Sequence, residues 1–153
     1  MPSFTQRSQP QNGILLWLLV ASAQFCLSSC QRKAPPGDYD MVAVSVSVKP
    51  ATIHVGDKVV LDYTVRNDGK DTVPGKSYNV DLYVDGNRTS FDHGTVDLGP
   101  GQTTDYSKAP GYHHLQPSKP GKYRYRLIVD EGNKLPETDE TNNVLEGDIE
   151  VVP

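Results

Sequence analysis

The chain has almost no cysteine: Cys26 and Cys30 are the only two in 153 residues, and none follows position 30. That excludes a disulfide framework, or a cysteine-ligated zinc or iron–sulfur site, through most of its length. Large aromatics are scarce as well, with three Phe and the single Trp17 near the N terminus. Eight Tyr are therefore the main ring supply, expected at core edges where the ring is buried and the hydroxyl finds water or a carbonyl. A basic excess is also missing, since 15 Lys and Arg stand against 19 Asp and Glu, a formal charge of −4. Nucleic acid, which calls for a basic stripe, is thereby disfavoured as a partner. Nothing after residue 30 has the length and period of an amphipathic helix. No Gly-x-Ser-x-Gly, P-loop, CxxC or HExxH pattern occurs, and no nucleophile stands beside a spaced base, so no catalytic residue is assigned.

What is present begins with a leader. Met1 to Gly13 is polar with Arg7 its one charge, and Ile14 to Val20 is wholly apolar. That run is too short to span a bilayer comfortably, yet right for the apolar region of a secretory signal. Two cleavage sites compete. Ala21-Ser22-Ala23 suits ordinary signal peptidase and would release a secreted protein beginning at Gln24. Leu27-Ser28-Ser29-Cys30 resembles a bacterial lipobox, in which the Cys30 thiol is diacylated. Cysteine usage favours the second: a cut at Ala23 would leave two thiols on a tail with no structural use, whereas lipidation gives Cys30 a purpose. The expected organisation is a lipoprotein signal peptide at 1–29, a flexible Pro-containing tether at 30–39 and one domain at 40–153. The expected location is the bacterial cell envelope, attached to the membrane through lipid on Cys30. Gln31, not Asp, follows that cysteine, which resembles lipoproteins sent to the outer membrane of Gram-negative cells.

The domain reads as strands. With 12 Pro and 13 Gly, turn signals separate short alternating runs. Met41 to Lys49 is predicted to bury Val42, Val44, Val46 and Val48; Lys58 to Arg66 to bury Val59, Leu61, Tyr63 and Val65. Tyr78, Val80, Leu82 and Val84 form a third inward row, and Asp85-Gly86 a tight hairpin turn to a return strand over Arg88 to Phe91. Short strands are predicted at Thr95–Leu98 and Thr103–Lys108, then a loop over Ala109–Gly121. Lys122 to Asp130 and Val144 to Val152 complete the set, with Tyr123, Tyr125, Leu127 and Val129 on one face. The pattern predicts an all-β antiparallel β-sandwich of about seven strands. Tyr123 sits where such sandwiches keep a tyrosine whose hydroxyl bonds backbone just upstream.

Between Asp130 and Glu150, eight carboxylates face one cation, Lys134. Asp130, Glu137, Asp139 and Glu140 are the candidates for calcium, which takes six to eight oxygens in loose geometry. Against this, the spacing does not match the EF-hand, and Asp139, Asn142 and Asn143 could instead bond the loop's own amides as Asx turns. Glu137 and Glu140 could be cast as the acid–base pair of a small hydrolase, but a sandwich of this size rarely encloses a cleft. His54, His93, His113 and His114 make a poor zinc site, because adjacent histidines on a strand point to opposite faces.

Several motifs occur in an order that resembles a known family. They are Tyr63-Thr64-Val65-Arg66-Asn67-Asp68-Gly69, Val80-Asp81-Leu82-Tyr83-Val84-Asp85-Gly86, Leu98-Gly99-Pro100-Gly101-Gln102-Thr103, and the strand from Pro120 to Asp130 with Asn133 and Glu137-Thr138-Asp139-Glu140-Thr141-Asn142-Asn143. Over roughly Asp40 to Val152 the chain is similar to CARDB, the cell-adhesion-related domain found in bacteria. The resemblance implies an immunoglobulin-like, non-enzymatic module on surface or secreted proteins. It also accounts for the acidic loop as a structural signature. The expected function is adhesion-type binding of an envelope protein or polysaccharide. An accessory subunit that offers a sheet edge is the alternative, although alternating charges on Gly147 to Val151 guard that edge. The expected contact surface is Tyr112, His113, His114 and Leu115, in a connection longer than the family's.

Overall fold

The computed structural model describes residues 36–106 and 114–153. The expected leader, Cys30, Tyr112 and His113 lie outside the described residues. Eight strands follow in order: β1 (Met41–Lys49), β2 (Ile53–His54), β3 (Val60–Asn67), β4 (Asn79–Val84), β5 (Asn87–His93), β6 (Thr103–Tyr106), β7 (Gly121–Val129) and β8 (Val144–Val152). They form a sandwich of two sheets, β1-β3-β6 and β2-β8-β7-β4-β5. The all-β sandwich expected from the alternation is the fold that forms. Two details differ. β2 is an additional two-residue strand that runs parallel to the end of β8, the single exception to antiparallel pairing among the described strands. Thr95–Leu98 is not a strand; only Leu98 pairs, with Val73, as an isolated bridge.

The core follows from period-two alternation. Leu61, Tyr63 and Val65 of β3 face Val80, Leu82 and Val84 of β4 and Leu127 and Val129 of β7, all buried. Each such aliphatic side chain contributes about 1.5–3 kcal/mol relative to exposure. β1 departs from its expected row. Ala43 pairs with Val65 and Ser45 with Thr64, so Val44 is an extra, unpaired residue. This one-residue bulge switches faces: Met41 and Ala43 are buried ahead of it, Val46 and Val48 pack on the core behind it, and Val44 is exposed. The hairpin between β4 and β5 turns on Asp85 and Gly86, both with positive φ, as a two-residue turn of the twist-compatible kind requires.

Polar groups tie the layers together. The Tyr63 hydroxyl, carried by β3, reaches Ser90 at 3.0 Å and donates to Asp92, both on β5 of the opposite sheet. Its ring stacks on Tyr106 with centroids 5.3 Å apart. Asn67, fully buried at the end of β3, organises two loops. Its amide nitrogen donates to the carbonyls of Asp71 and Leu98, each at 2.8 Å, and its side-chain oxygen accepts the Gly69 N–H at 3.0 Å. Tyr123 forms the expected corner: its hydroxyl donates to the Lys119 carbonyl at 3.0 Å and accepts the Lys119 N–H at 3.3 Å. Tyr123→Phe is expected to lower unfolding stability by about 1 kcal/mol in urea titration, and an unchanged midpoint would show that water takes over the bond.

Candidate functional site

The loop from Asp130 to Asn143 leaves β7 and folds back over two neighbours. Asp130 adopts positive φ, and its side chain accepts the Leu135 N–H at 2.6 Å, which seats Leu135 in the core. Glu137 accepts the Met41 N–H and, at 3.1 Å, the Asn143 amide. Thr138 donates its N–H to the Tyr39 carbonyl at 2.7 Å. Asp139 accepts both the N–H and the hydroxyl of Thr141, at 2.8 and 2.6 Å, the Asx turn anticipated there. Asn142 and Asn143 do otherwise. Asn142 donates across to Asp40 at 2.8 Å, and Asn143 bridges Glu137 and Glu140 at 3.1 and 3.2 Å. Their partners are side chains, one of them about a hundred positions away, because the loop packs on the start of β1. Among the described residues no group of three or more His, Cys, Asp and Glu is placed to hold a metal ion.

This packing sets the electrostatics. Burial, reinforced by Glu140 and Asp130 nearby, pushes the Glu137 carboxyl up to about 8 from its ordinary 4.5. Burial likewise raises Asp130, against the bonds from Leu135 and Lys134 backbone that favour its charge. Asp139, on the outside, is lowered by the Thr141 bonds.

The expected contact surface is altered by the position of His114. It is buried, and its Nδ1 accepts the Leu61 N–H at 2.8 Å. Leu115 pairs with Val59 as an isolated bridge and packs on the core. Both residues are part of the sandwich wall, so His114 is corrected from an exposed contact to an internal support. The reason lies in the sheet: β1 covers one side of Val60 and Leu61, but β6 reaches only Tyr63 to Arg66 on the other, and this segment supplies the missing partners.

A different surface gathers chemistry on the outer face of the five-stranded sheet. Alternation turns Asn79, Asp81 and Tyr83 of β4 outward, yet Asn79 is 6% exposed and Asp81 0%. They floor a groove of about 360 Å³ walled by Arg88, Phe91 and His93 of β5 and by Glu131, Gly132 and Lys134 of the acidic loop. Asp81 accepts the Asn79 amide and, at 3.3 Å, Nη1 of Arg88. Burial raises the Asp81 carboxyl, opposed by those two bonds. Arg88 lies 5.1 Å from the centre of the Phe91 ring, and His93 meets that ring edge-on at 4.4 Å. Tyr83 donates to Glu131 at 2.9 Å, which pins the loop wall to the sheet. The sequence reading missed this groove; its one visible signal was a carboxylate in the middle of an otherwise apolar and aromatic strand. Elsewhere on the same face Lys122, Arg124 and Arg126 pair across strands with Asp148 and Glu146, so the acidic row of β8 is largely neutralised.

Comparison with known proteins bears on identity. Residues 39–147 match the CARDB family. A crystal structure of a Pyrococcus furiosus CARDB domain in complex with di-metal ions is 26% identical, with a TM-score of 0.60, over 78% of this chain and 98% of that one. A solution structure of the same domain is 30% identical over 76% of this chain and 98% of its own, with a TM-score of 0.57. A domain of a Methanosarcina acetivorans protein named for the cell surface shares the fold at 23% identity, covering 75% of this chain and 93% of that one with a TM-score of 0.59. None of the curated proteins compared matches. The two-sheet sandwich, the corner at Tyr123 and the loop that closes on β1 are thus carried by a chain that belongs to the CARDB family.

Proposed function

We propose that the protein is a lipid-anchored module of the bacterial cell envelope that acts by binding and carries out no chemistry of its own. The observation that carries this reading is how the buried polar groups are used. Glu137 is held by Met41 and Asn143, Asp130 seats Leu135, and His114 accepts from Leu61. A catalytic acid or base needs a perturbed group facing a substrate pocket, whereas these are committed to the fold. CARDB domains are non-catalytic modules, and the Methanosarcina relative named for the cell surface supports an envelope setting.

The anchor rests on the leader and on Cys30. Among the described residues Asp38 is held to the sandwich, where Lys70 and Asp71 donate their N–H groups to its carbonyl at 2.9 and 3.0 Å. An extended stretch from position 30 to that point reaches at most about 30 Å, which would hold the domain close to a lipid surface. Cys30→Ser is expected to move the protein from the membrane to the soluble fraction, and the mass of the mature N terminus to show a diacylglycerol on Cys30. An unmodified terminus at Gln24 would overturn the anchor and leave a secreted module.

A further inference from the structure

The groove over Asp81 is the strongest unassigned feature of the described surface. An Asp at the centre of a sheet's outer face, at 0% exposure, loses hydration that a Thr or Val there would not. What that placement achieves is orientation of a cation. Asp81 takes one guanidinium N–H of Arg88, whose side chain lines the groove and remains 54% exposed. Beside it Phe91, its ring touched by Arg88 and His93, is still 44% exposed, on a strand with no outer neighbour among the described strands.

The lining narrows the ligand class. Two carboxylates, Asp81 and Glu131, stand against two cations, Arg88 and Lys134, so the groove presents no net charge that would draw a polyanion or a polycation. Both donors and acceptors line it, which suits groups that donate and accept at once, as hydroxyls do. The ring supplies an electron-rich surface on which the weakly positive C–H face of a pyranose can lie. A peptide anchor would ask for a deeper apolar pocket than a single ring provides. At about 360 Å³ the groove is at the lower end of the ligand-pocket range, and it is shallow enough to admit a chain from the side.

We propose that this groove binds a neutral polysaccharide, with Phe91 as the stacking platform, Arg88 as the hydroxyl-binding donor and Asp81 as the residue that positions Arg88. This rests on the binding-module reading above. The full mature protein, solubilised in detergent, is run through native gels containing laminarin, xylan or yeast mannan. Retardation by at least one of them is expected, and about 0.5 M salt should leave it unchanged because the ligand carries no charge. Phe91→Ala, on an exposed side chain, should weaken retardation about tenfold with no change in thermal midpoint, and Arg88→Gln should weaken it as much while lowering the midpoint, because it leaves Asp81 buried without its cation. Asp81→Asn should weaken it as well, and NMR of the Arg88 side chain should show the guanidinium freed.

No retardation by any of the three polymers overturns the proposal. So does retardation that survives Phe91→Ala, binding of anionic polygalacturonate that collapses in salt, or capture of an extended peptide along the open edge of β5. Sedimentation with isolated bacterial envelopes is measured in parallel. Envelope binding without glycan binding leaves the module reading standing while the groove assignment falls, whereas loss of both removes the two together.

Discussion

Asn67→Ala is expected to destabilise the domain by about 3 kcal/mol, the largest loss from any single polar side chain described above. Three bonds disappear at once, to Asp71, Leu98 and Gly69, in a site with no solvent exposure. The Leu98 carbonyl and the Gly69 N–H are then left buried without that partner, which costs more than the bonds themselves contribute. The backbone of Asn67 also holds Gln102 and Gly101, so the loop after β3 and the loop before β6 slacken together. In urea titration the midpoint should fall at an unchanged slope, since the same surface is exposed on unfolding. Asn67→Asp should be nearly as severe, because it keeps the acceptor for Gly69 but loses both donated bonds. A loss well under about 1 kcal/mol would mean that water enters and replaces them.

Stability is also expected to fall as pH rises from about 5 to about 8. The sign follows from Glu137, whose carboxyl stands near 8 in the folded chain against an ordinary 4.5. Between those values the unfolded chain ionises while the folded chain keeps its proton. The stabilisation is therefore complete below the lower value and lost as pH climbs through the upper one. Asp81 and Asp130, also raised by burial, act in the same direction at lower pH. Asp68, Asp139 and Glu146 are lowered by partners and act oppositely, only as pH drops through the carboxylate range. Glu137 is partly exposed, so water screens part of the effect, leaving about 1–2 kcal/mol, or roughly 5–10 °C of Tm. Calorimetry across this range tests it, and Glu137→Gln, which cannot ionise, should flatten the slope. A wild-type Tm that holds or rises from pH 5 to pH 8 would show that Glu137 is already charged in the fold.

How much was legible in the sequence depended on the range of the interaction. β3, β4 and β7 were readable because each side chain's face follows from its own position along the strand. β1 was not, since valines stand at every second position and the extra residue at Val44 shows only in its pairing with β3. Two-residue β2 is too short to have a period. In the acidic loop the Asp139–Thr141 turn is local and was readable, but the Glu137–Met41 bond spans 96 positions. The groove was hidden for a related reason. Alternation places Asp81 outward, yet its burial depends on where Glu131 and Lys134 come to lie and on Arg88 closing over it. His114 was misread because the need it answers, a partner for the Leu61 N–H, belongs to another part of the chain.

The loop from Asp130 to Asn143 also determines how the domain would respond to being pulled. Its first residues wall the groove, and its last ones grip Tyr39, Asp40 and Met41, where the tether arrives. Groove and tether therefore meet at one end of the sandwich, joined by the same segment. If the proposed ligand and anchor hold, tension between a glycan on β5 and a membrane-fixed N terminus would pass through β5, β4 and β7 and then along this loop to Tyr39. The bonds from Glu137, Thr138 and Asn142 share that tension side by side, so none yields until its neighbours are strained as well. The clasp has fewer bonds than the β5–β4 and β4–β7 ladders in that path, so it would part before them.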